Sequence, residues 1–354
     1  MRKLFLAFAI SQALAGAAFA QSSVTVFGVL DAGVRHVDNA NAGKLTTEST
    51  NGLNSNRLGF RGVEEIAPGL KAAFWLEHGF FADTGTANPK FWNRGSWVSL
   101  QSSTFGEVRL GRDYTPLFRG YVNYDPFNVN GLGSITNILG VLGSNSPSLT
   151  TVDNAVIYFL PTNFYGLYGS VLAAAGEGVT TVNTAASSIN SNNKMYGGTL
   201  GYQSGPLNVQ AAYTQTTIEV GIPGKLKQGQ VGAWYDFGVA KVMAQYIQSE
   251  YINREQGLIQ VGALVPIGAG TIRVSYTDGN MKGSSPVIGF RSQDDTSMFA
   301  LGYIHNLSKR TALYTTAAIT KNKGGASLTV PGGPAGMSGG QDSKGIEAGI
   351  RHIF

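Results

Sequence analysis

The 354-residue chain contains no cysteine, which excludes disulfides, thiolate metal sites and cysteine nucleophiles. Its stability must come from the fold itself. Charged residues are scarce at 13% of the chain, and no basic run or basic helix offers a surface to nucleic acid. Beyond the first twenty residues, no apolar stretch reaches the roughly 20 residues that a membrane-spanning helix needs. Low charge, no spanning helix and 48 glycines fit a chain that crosses a membrane as strands.

The two ends carry the clearest signals. Arg2 and Lys3, an apolar run from Leu4 to Ile10, and Ala18-Phe19-Ala20 ahead of Gln21 read as a secretory leader over residues 1–20, removed by cleavage. Loss of Arg2 and Lys3 leaves only a small net positive charge. The chain closes on an alternating strand from Lys344 that stops on an aromatic, Phe354, read as an assembly signal for insertion into a bacterial outer membrane.

Between the ends, period-two alternation dominates, separated by segments rich in Gly, Asn, Ser, Thr and Pro. Val24, Val26, Leu30, Ala32 and Val34 share one face of the first strand, and Thr25, Asp31 and Arg35 the other. A soluble sandwich would also alternate. Very short connections, such as Glu65 to Pro68 and Ser204-Gly205, trade places with long ones, such as Asp38 to Asn54, Gly176 to Asn193, Asn280 to Asp295 and Asn322 to Asp342. That rhythm matches short periplasmic turns and long external loops. Sixteen strands result, the first at 23–37 and the last at 343–354, in a single barrel domain over 21–354. Closure is physically required, because an unpaired edge in hydrocarbon leaves backbone groups unsatisfied. Tyr158, Phe159, Phe164, Tyr165, Tyr202, Tyr235, Phe237 and Tyr303 lie near strand ends, as an interfacial aromatic girdle would.

Four ordered segments, Val26 to Gly33, Asn56 to Glu64, Gly106 to Pro116 and Asn306 to Thr311, with the terminal Arg351-His352-Ile353-Phe354, resemble the general porins of Gram-negative bacteria, in the beta-proteobacterial branch. The resemblance implies an all-β, 16-stranded antiparallel transmembrane barrel. It also implies three barrels per assembly in outer-membrane lipid and passive diffusion of small hydrophilic solutes and ions, with no cofactor, metal or catalytic residue. The longest connection, Tyr114 to Val152, would be the third external loop, folded inward to narrow the pore. A structureless loop of that length needs a function. Its apolar content, including Leu117, Phe118, Tyr121, Tyr124, Phe127, Leu132, Ile135, Ile138, Leu139, Val141 and Leu142, suits packing against an inner wall.

That loop holds only Arg119 and Asp125 as charged groups, so it should contribute little net field. By parity, Arg57 and Arg61 point into the lumen opposite Leu58 and Phe60, and Lys71 and Glu77 do so opposite Leu70, Phe74 and Leu76. Fixed positive charge at a constriction favours anions, and arginine stays protonated beside other cations. Arg57 and Arg94 fall where two arginines of similar anion-selective porins would sit. Arg94 shares parity with Val98 and Leu100, so it reaches the lumen only if a bulge intervenes or the strand ends there. The third arginine that the resemblance leads one to expect is missing from Asn154-Ala155-Val156-Ile157-Tyr158.

Two rival readings stand. A substrate-specific channel would need an aromatic slide or a dense arginine ladder, and Trp75 has lumen parity beside Lys71 and Glu77. An outer-membrane barrel enzyme would need a site around His36 or His78, near Asp38 and Asp83, but no serine or second carboxylate is recognisably arranged there. The glycines at Gly324-Gly325 and Gly332-Gly333 do not join a strand to a helix, so they read as a flexible external loop rather than a phosphate cradle.

Overall fold

The computed structural model describes residues 23–140, 142–144, 146, 149–162, 164–176, 192–283 and 292–354. The expected leader over 1–20, Val141, and much of the long connections at Gly176 to Asn193 and Asn280 to Asp295 lie outside the described residues. The first seven strands are β1 (Ser23–Asn39), β2 (Gly43–Thr50), β3 (Arg57–Ala67), β4 (Leu70–Gly79), β5 (Gly95–Ser102), β6 (Gly106–Tyr114) and β7 (Thr151–Phe159). Then follow β8 (Leu167–Ala174), β9 (Met195–Ser204), β10 (Leu207–Ile218), β11 (Gly224–Asp236), β12 (Lys241–Tyr251) and β13 (Arg254–Ile267). β14 (Gly270–Gly283), β15 (Thr296–Asn306), β16 (Thr311–Asn322) and β17 (Ser343–Ile353) complete the sheet, and among the described residues an α-helix, α1 (Pro116–Tyr124), and a short 3-10 helix (Ile135–Asn137) stand apart from it.

From β3 onward each strand pairs antiparallel with the next, and β17 returns to β1 over Val29↔Ile353 to Asn39↔Ser343. The other edge of β1 is shared: Ser23 to Val29 pair with β3, and Ala32 to Asn39 with β2. β2 therefore continues the edge of β3 beyond a break, and the wall is a closed barrel of sixteen staves. The stretch from Asp38 to Asn54, expected as loop, is a hairpin for most of its length.

At that break the chain bends into the lumen. The Asp31 carboxylate accepts the backbone N–H groups of Gly52, Leu53 and Asn54 at 3.2, 2.9 and 2.7 Å and the Tyr314 hydroxyl at 2.7 Å. The last turn of the seam is closed by Phe354, which exchanges backbone hydrogen bonds with Gly28 at 3.0 and 3.1 Å. A Cβ on Gly28 would overlap the Phe354 ring, so only glycine leaves room for it.

The outer face follows the predicted alternation. Val24, Val26, Leu30, Val34, Val98, Leu100, Val156 and Val171 are all exposed, the positions that lipid would cover. Phe105, Phe164, Tyr165, Tyr235 and Phe237 sit exposed toward the short-turn end, where a girdle belongs. The inner face is polar: Gln230, Gln245, Gln260 and Thr277 form a hydrogen-bonded ladder across β11 to β14 at 2.7–3.2 Å.

The long connection after β16 corrects another expectation. Rather than a free external loop, residues 323–342 turn into the barrel mouth. Val330 is fully buried with Val37, Phe127 and Leu132. The Arg35 guanidinium donates to the Pro331 carbonyl at 3.4 Å and the Asn39 amide to the Pro334 carbonyl at 2.7 Å. Gly332 and Gly333 lie against the Arg35, Val37 and Asn39 side chains, where the absence of Cβ permits close approach.

Candidate functional site

The connection between β6 and β7 folds into the barrel. Thr115 accepts the Phe118 N–H at 3.1 Å as the N-cap of α1, and Pro116 occupies the first turn. The helix lies on the glutamine ladder; a Cβ on Gly120 would overlap the Gln230 side chain. Leu117, Tyr121, Ile135 and Ile138 pack against Ala212, Ile247, Leu258 and Met298 of the inner wall. Burying such side chains is worth about 1.5–3 kcal/mol each, which holds the loop against β10 to β16.

Polar anchors fix its register. Asp125, 1% exposed, accepts the N–H groups of Phe127, Val129 and Ile135 at 3.0, 3.0 and 3.1 Å. Burial pushes its carboxyl above the usual carboxylate range, against the opposing pull of those amides and Arg273. Gln256 donates to the Ile138 carbonyl at 2.9 Å and accepts from Gly140 at 2.7 Å. Glu347, paired with Arg35 at 2.6 Å, accepts the Leu132 N–H at 3.2 Å.

Opposite the loop, the Glu77 carboxylate binds Arg94 at 2.5 Å, Arg57 at 3.5 Å and the Trp75 indole N–H at 2.8 Å. Arg94 also donates to the Tyr114 hydroxyl at 2.6 Å. Nearby, Asp113 bridges Arg109 at 2.6 Å and Arg119 of α1 at 2.8 Å. Burial lowers the Arg119 pKa, while the Asp113 charge raises it. A cavity of about 780 Å³ lies between loop and wall, and its lining includes Arg57, Arg94, Arg119 and Lys241, with Asp125 its one carboxylate-bearing residue. Glu77 and Asp113 stand behind the guanidinium groups they pair with: their side chains are 3% and 5% exposed, against 25%, 17% and 35% for Arg57, Arg94 and Arg119.

A closed sixteen-stave barrel narrowed by an inward loop with an arginine-lined passage is one arrangement, and the chain matches the Gram-negative porin family over residues 6–325. The chain belongs to that family. It is 35% identical to outer membrane porin protein 32 of Delftia acidovorans over the whole of both chains. It is 29% identical to an outer membrane porin protein of Bordetella pertussis, over 91% of this chain and 95% of the other. Among solved structures, the anion-selective porin from Comamonas acidovorans superposes with a TM-score of 0.83 at 33% identity, covering 94% of this chain and 100% of that one. This porin accordingly has its place in the Gram-negative outer membrane.

The porin brings together Arg57, Glu77, Arg94, Arg119 and Asp125, and separates Arg61 and Lys71 from them. Arg94 precedes β5, which starts at Gly95, so its parity with Val98 does not govern it; its N–H donates to the Glu77 carbonyl at 3.3 Å and its side chain turns inward. Arg61, four residues from Arg57, lies about 13 Å further along the strand toward the short-turn end. Lys71 stands six residues from Glu77, about 20 Å away at the same end. Arg119 and Asp125 do not cancel as lining charges, because the Asp125 carboxylate is directed at loop amides.

Lys241 and the anchors Gln256, Gln260 and Glu347 were missed. Parity with Met243, Gln245 and Ile247, opposite Val242, Ala244 and Tyr246, was the available signal for Lys241. Its ammonium sits 3.5 Å over the Trp234 ring. The histidines of the rival reading are tied elsewhere: His36 to the Thr46 hydroxyl at 2.7 Å and His78 to the Phe91 carbonyl.

Proposed function

We propose that this porin is a passive diffusion channel for small hydrophilic solutes and ions with a preference for anions, assembled as a homotrimer. The observation that carries the preference is the difference in exposure: guanidinium groups face the passage and the carboxylates that pair with them are covered. An ion in the lumen then meets net positive potential although the local charges are nearly balanced, which lowers the energy of anions and raises that of cations. The Comamonas acidovorans structure, described as an anion-selective porin, supports the same reading.

Support for the trimer is the apolar outer face of β1, where Val24, Val26, Leu30 and Val34 are exposed and available to a second barrel. Reconstitution in a planar bilayer under a KCl gradient tests both parts. Current steps in groups of three with a reversal potential directed toward chloride are expected. A potassium-directed potential would overturn the anion preference, and single independent steps would overturn the trimer.

A further inference from the structure

On the periplasmic side of the constriction, the same wall carries aromatic rings and guanidinium groups in contact. Arg61 stands 5.6 Å from the centroid of the Phe27 ring and 5.9 Å from that of Trp75, and these two rings lie 4.6 Å apart. Trp75 in turn stacks on Trp97 at 6.1 Å with planes 7° apart, and Arg109 covers Trp97 at 3.8 Å. The Phe27 ring lies over Gly59, where a Cβ would overlap it. Gly59 falls between Arg57 and Arg61 on the lumen row, so the ring separates the constriction arginine from the lower one. Trp75 is held by its N–H bond to Glu77, the carboxylate shared with Arg57 and Arg94.

The arginines of this wall differ in their counter-charges. Arg57 and Arg94 share Glu77, Arg109 is gripped by Glu107 at 3.0 Å and by Asp113, and Arg119 also uses Asp113. Arg61 is exposed, and none of the ion pairs among the described residues includes it. The rings of Phe27 and Trp75 beside it are half-buried.

Chloride needs only charge and gains nothing from two fixed rings. A planar aromatic carboxylate uses both features: its two oxygens match the guanidinium fork, and its ring meets Phe27 and Trp75 in the offset or edge contacts that aromatic pairs prefer. We propose that Arg61, Phe27 and Trp75 form a binding station for aromatic carboxylates at the periplasmic side of the constriction. A solute that has passed Arg57 and Arg94 is retained there briefly before release. The station rests on the anion-channel reading for the arrival of its ligand.

The test compares benzoate with cyclohexanecarboxylate, equal in charge and carbon number but not planar, as blockers of chloride current through the purified protein in a planar bilayer. Benzoate is expected to reduce the current and add noise at concentrations lower by about threefold to tenfold, the range of ring stacking and cation–π contacts. Arg61→Gln should abolish block by both carboxylates while current steps and the chloride-directed reversal potential remain. Phe27→Leu, which keeps the charge, should bring benzoate down to the level of cyclohexanecarboxylate. Equal block by the two in the unaltered protein, or benzoate block unchanged in Arg61→Gln, would overturn the station. A cation-directed reversal potential in the unaltered protein would instead overturn the channel's anion preference, and the two readouts are independent.

Discussion

Under the proposed anion preference, Glu77 sets the strength of the field, because it is the carboxylate shared by Arg57 and Arg94. Replacing it with glutamine keeps an oxygen to accept the Trp75 N–H and removes one negative charge. A unit charge acting at roughly 6 Å through water is worth about 0.7 kcal/mol, or about threefold in ion partition. Glu77→Gln should therefore raise anion entry and lower cation entry by about that factor each, read from the reversal potential. Arg57→Glu reverses a charge and should move the ratio about tenfold per ion the other way by the same arithmetic. An unchanged potential in Arg57→Glu would remove Arg57 from the conduction path. At this scale the sequence was partly legible. Parity placed Arg57 and Glu77 on the lumen row, because a strand imposes it. Parity alone left Arg94 open until the strand boundary was known, and β5 does begin one residue later, at Gly95; it could say nothing of Asp125, whose loop amides are not visible in a linear pattern.

The inward loop is an element whose position depends on a few buried polar atoms acting together with its apolar side. Asp125 gathers three backbone N–H groups from both limbs of the loop, and a buried amide left without an acceptor costs about 1–3 kcal/mol. Asp125→Ala should loosen the loop without opening the barrel, so single-channel conductance should rise and become noisy while strand content by circular dichroism stays constant. Deleting most of Gly131 to Ser146 should raise conductance further. Conductance equal to the parent in the deletion would place the loop outside the ion path. The loop's inward course was legible in its apolar content, since Leu117, Tyr121, Ile135 and Ile138 have no reason to face water. The hairpin strand β2 was not. Its sequence Gly43-Lys44-Leu45-Thr46-Thr47-Glu48-Ser49-Thr50 carries no apolar face, because it pairs with β1 beyond the lipid-facing rows, where nothing demands one. The last long loop was misread for a related reason: its glycines permit close packing on Arg35 and Val37 as readily as they permit freedom.

The molecule as a whole is governed by closure, since hydrocarbon offers no partner to an open edge. Fifteen of the sixteen joins between staves link neighbours in the chain by simple antiparallel pairing, and the rhythm of short and long connections announced them in advance. The remaining join, between β17 and β1, links the two ends of the barrel and depends on residues far apart in the chain. Phe354 completes it with two backbone hydrogen bonds to Gly28 and a ring seated over that glycine. Two separate changes probe the seam. Deleting Phe354 removes both hydrogen bonds and the ring, whereas Phe354→Ala leaves the backbone donors and acceptors but empties the seat. If the ring's fit is what seals the barrel, both variants should refold in detergent more slowly and unfold at lower temperature than the parent, and Phe354→Tyr should behave as the parent does. If only the backbone bonds matter, the deletion should lose stability and Phe354→Ala should not. Equal thermal midpoints for all of them would show that the seam is held by the eleven register pairs from Val29↔Ile353 to Asn39↔Ser343 alone, and would leave Phe354 no part in keeping the barrel closed.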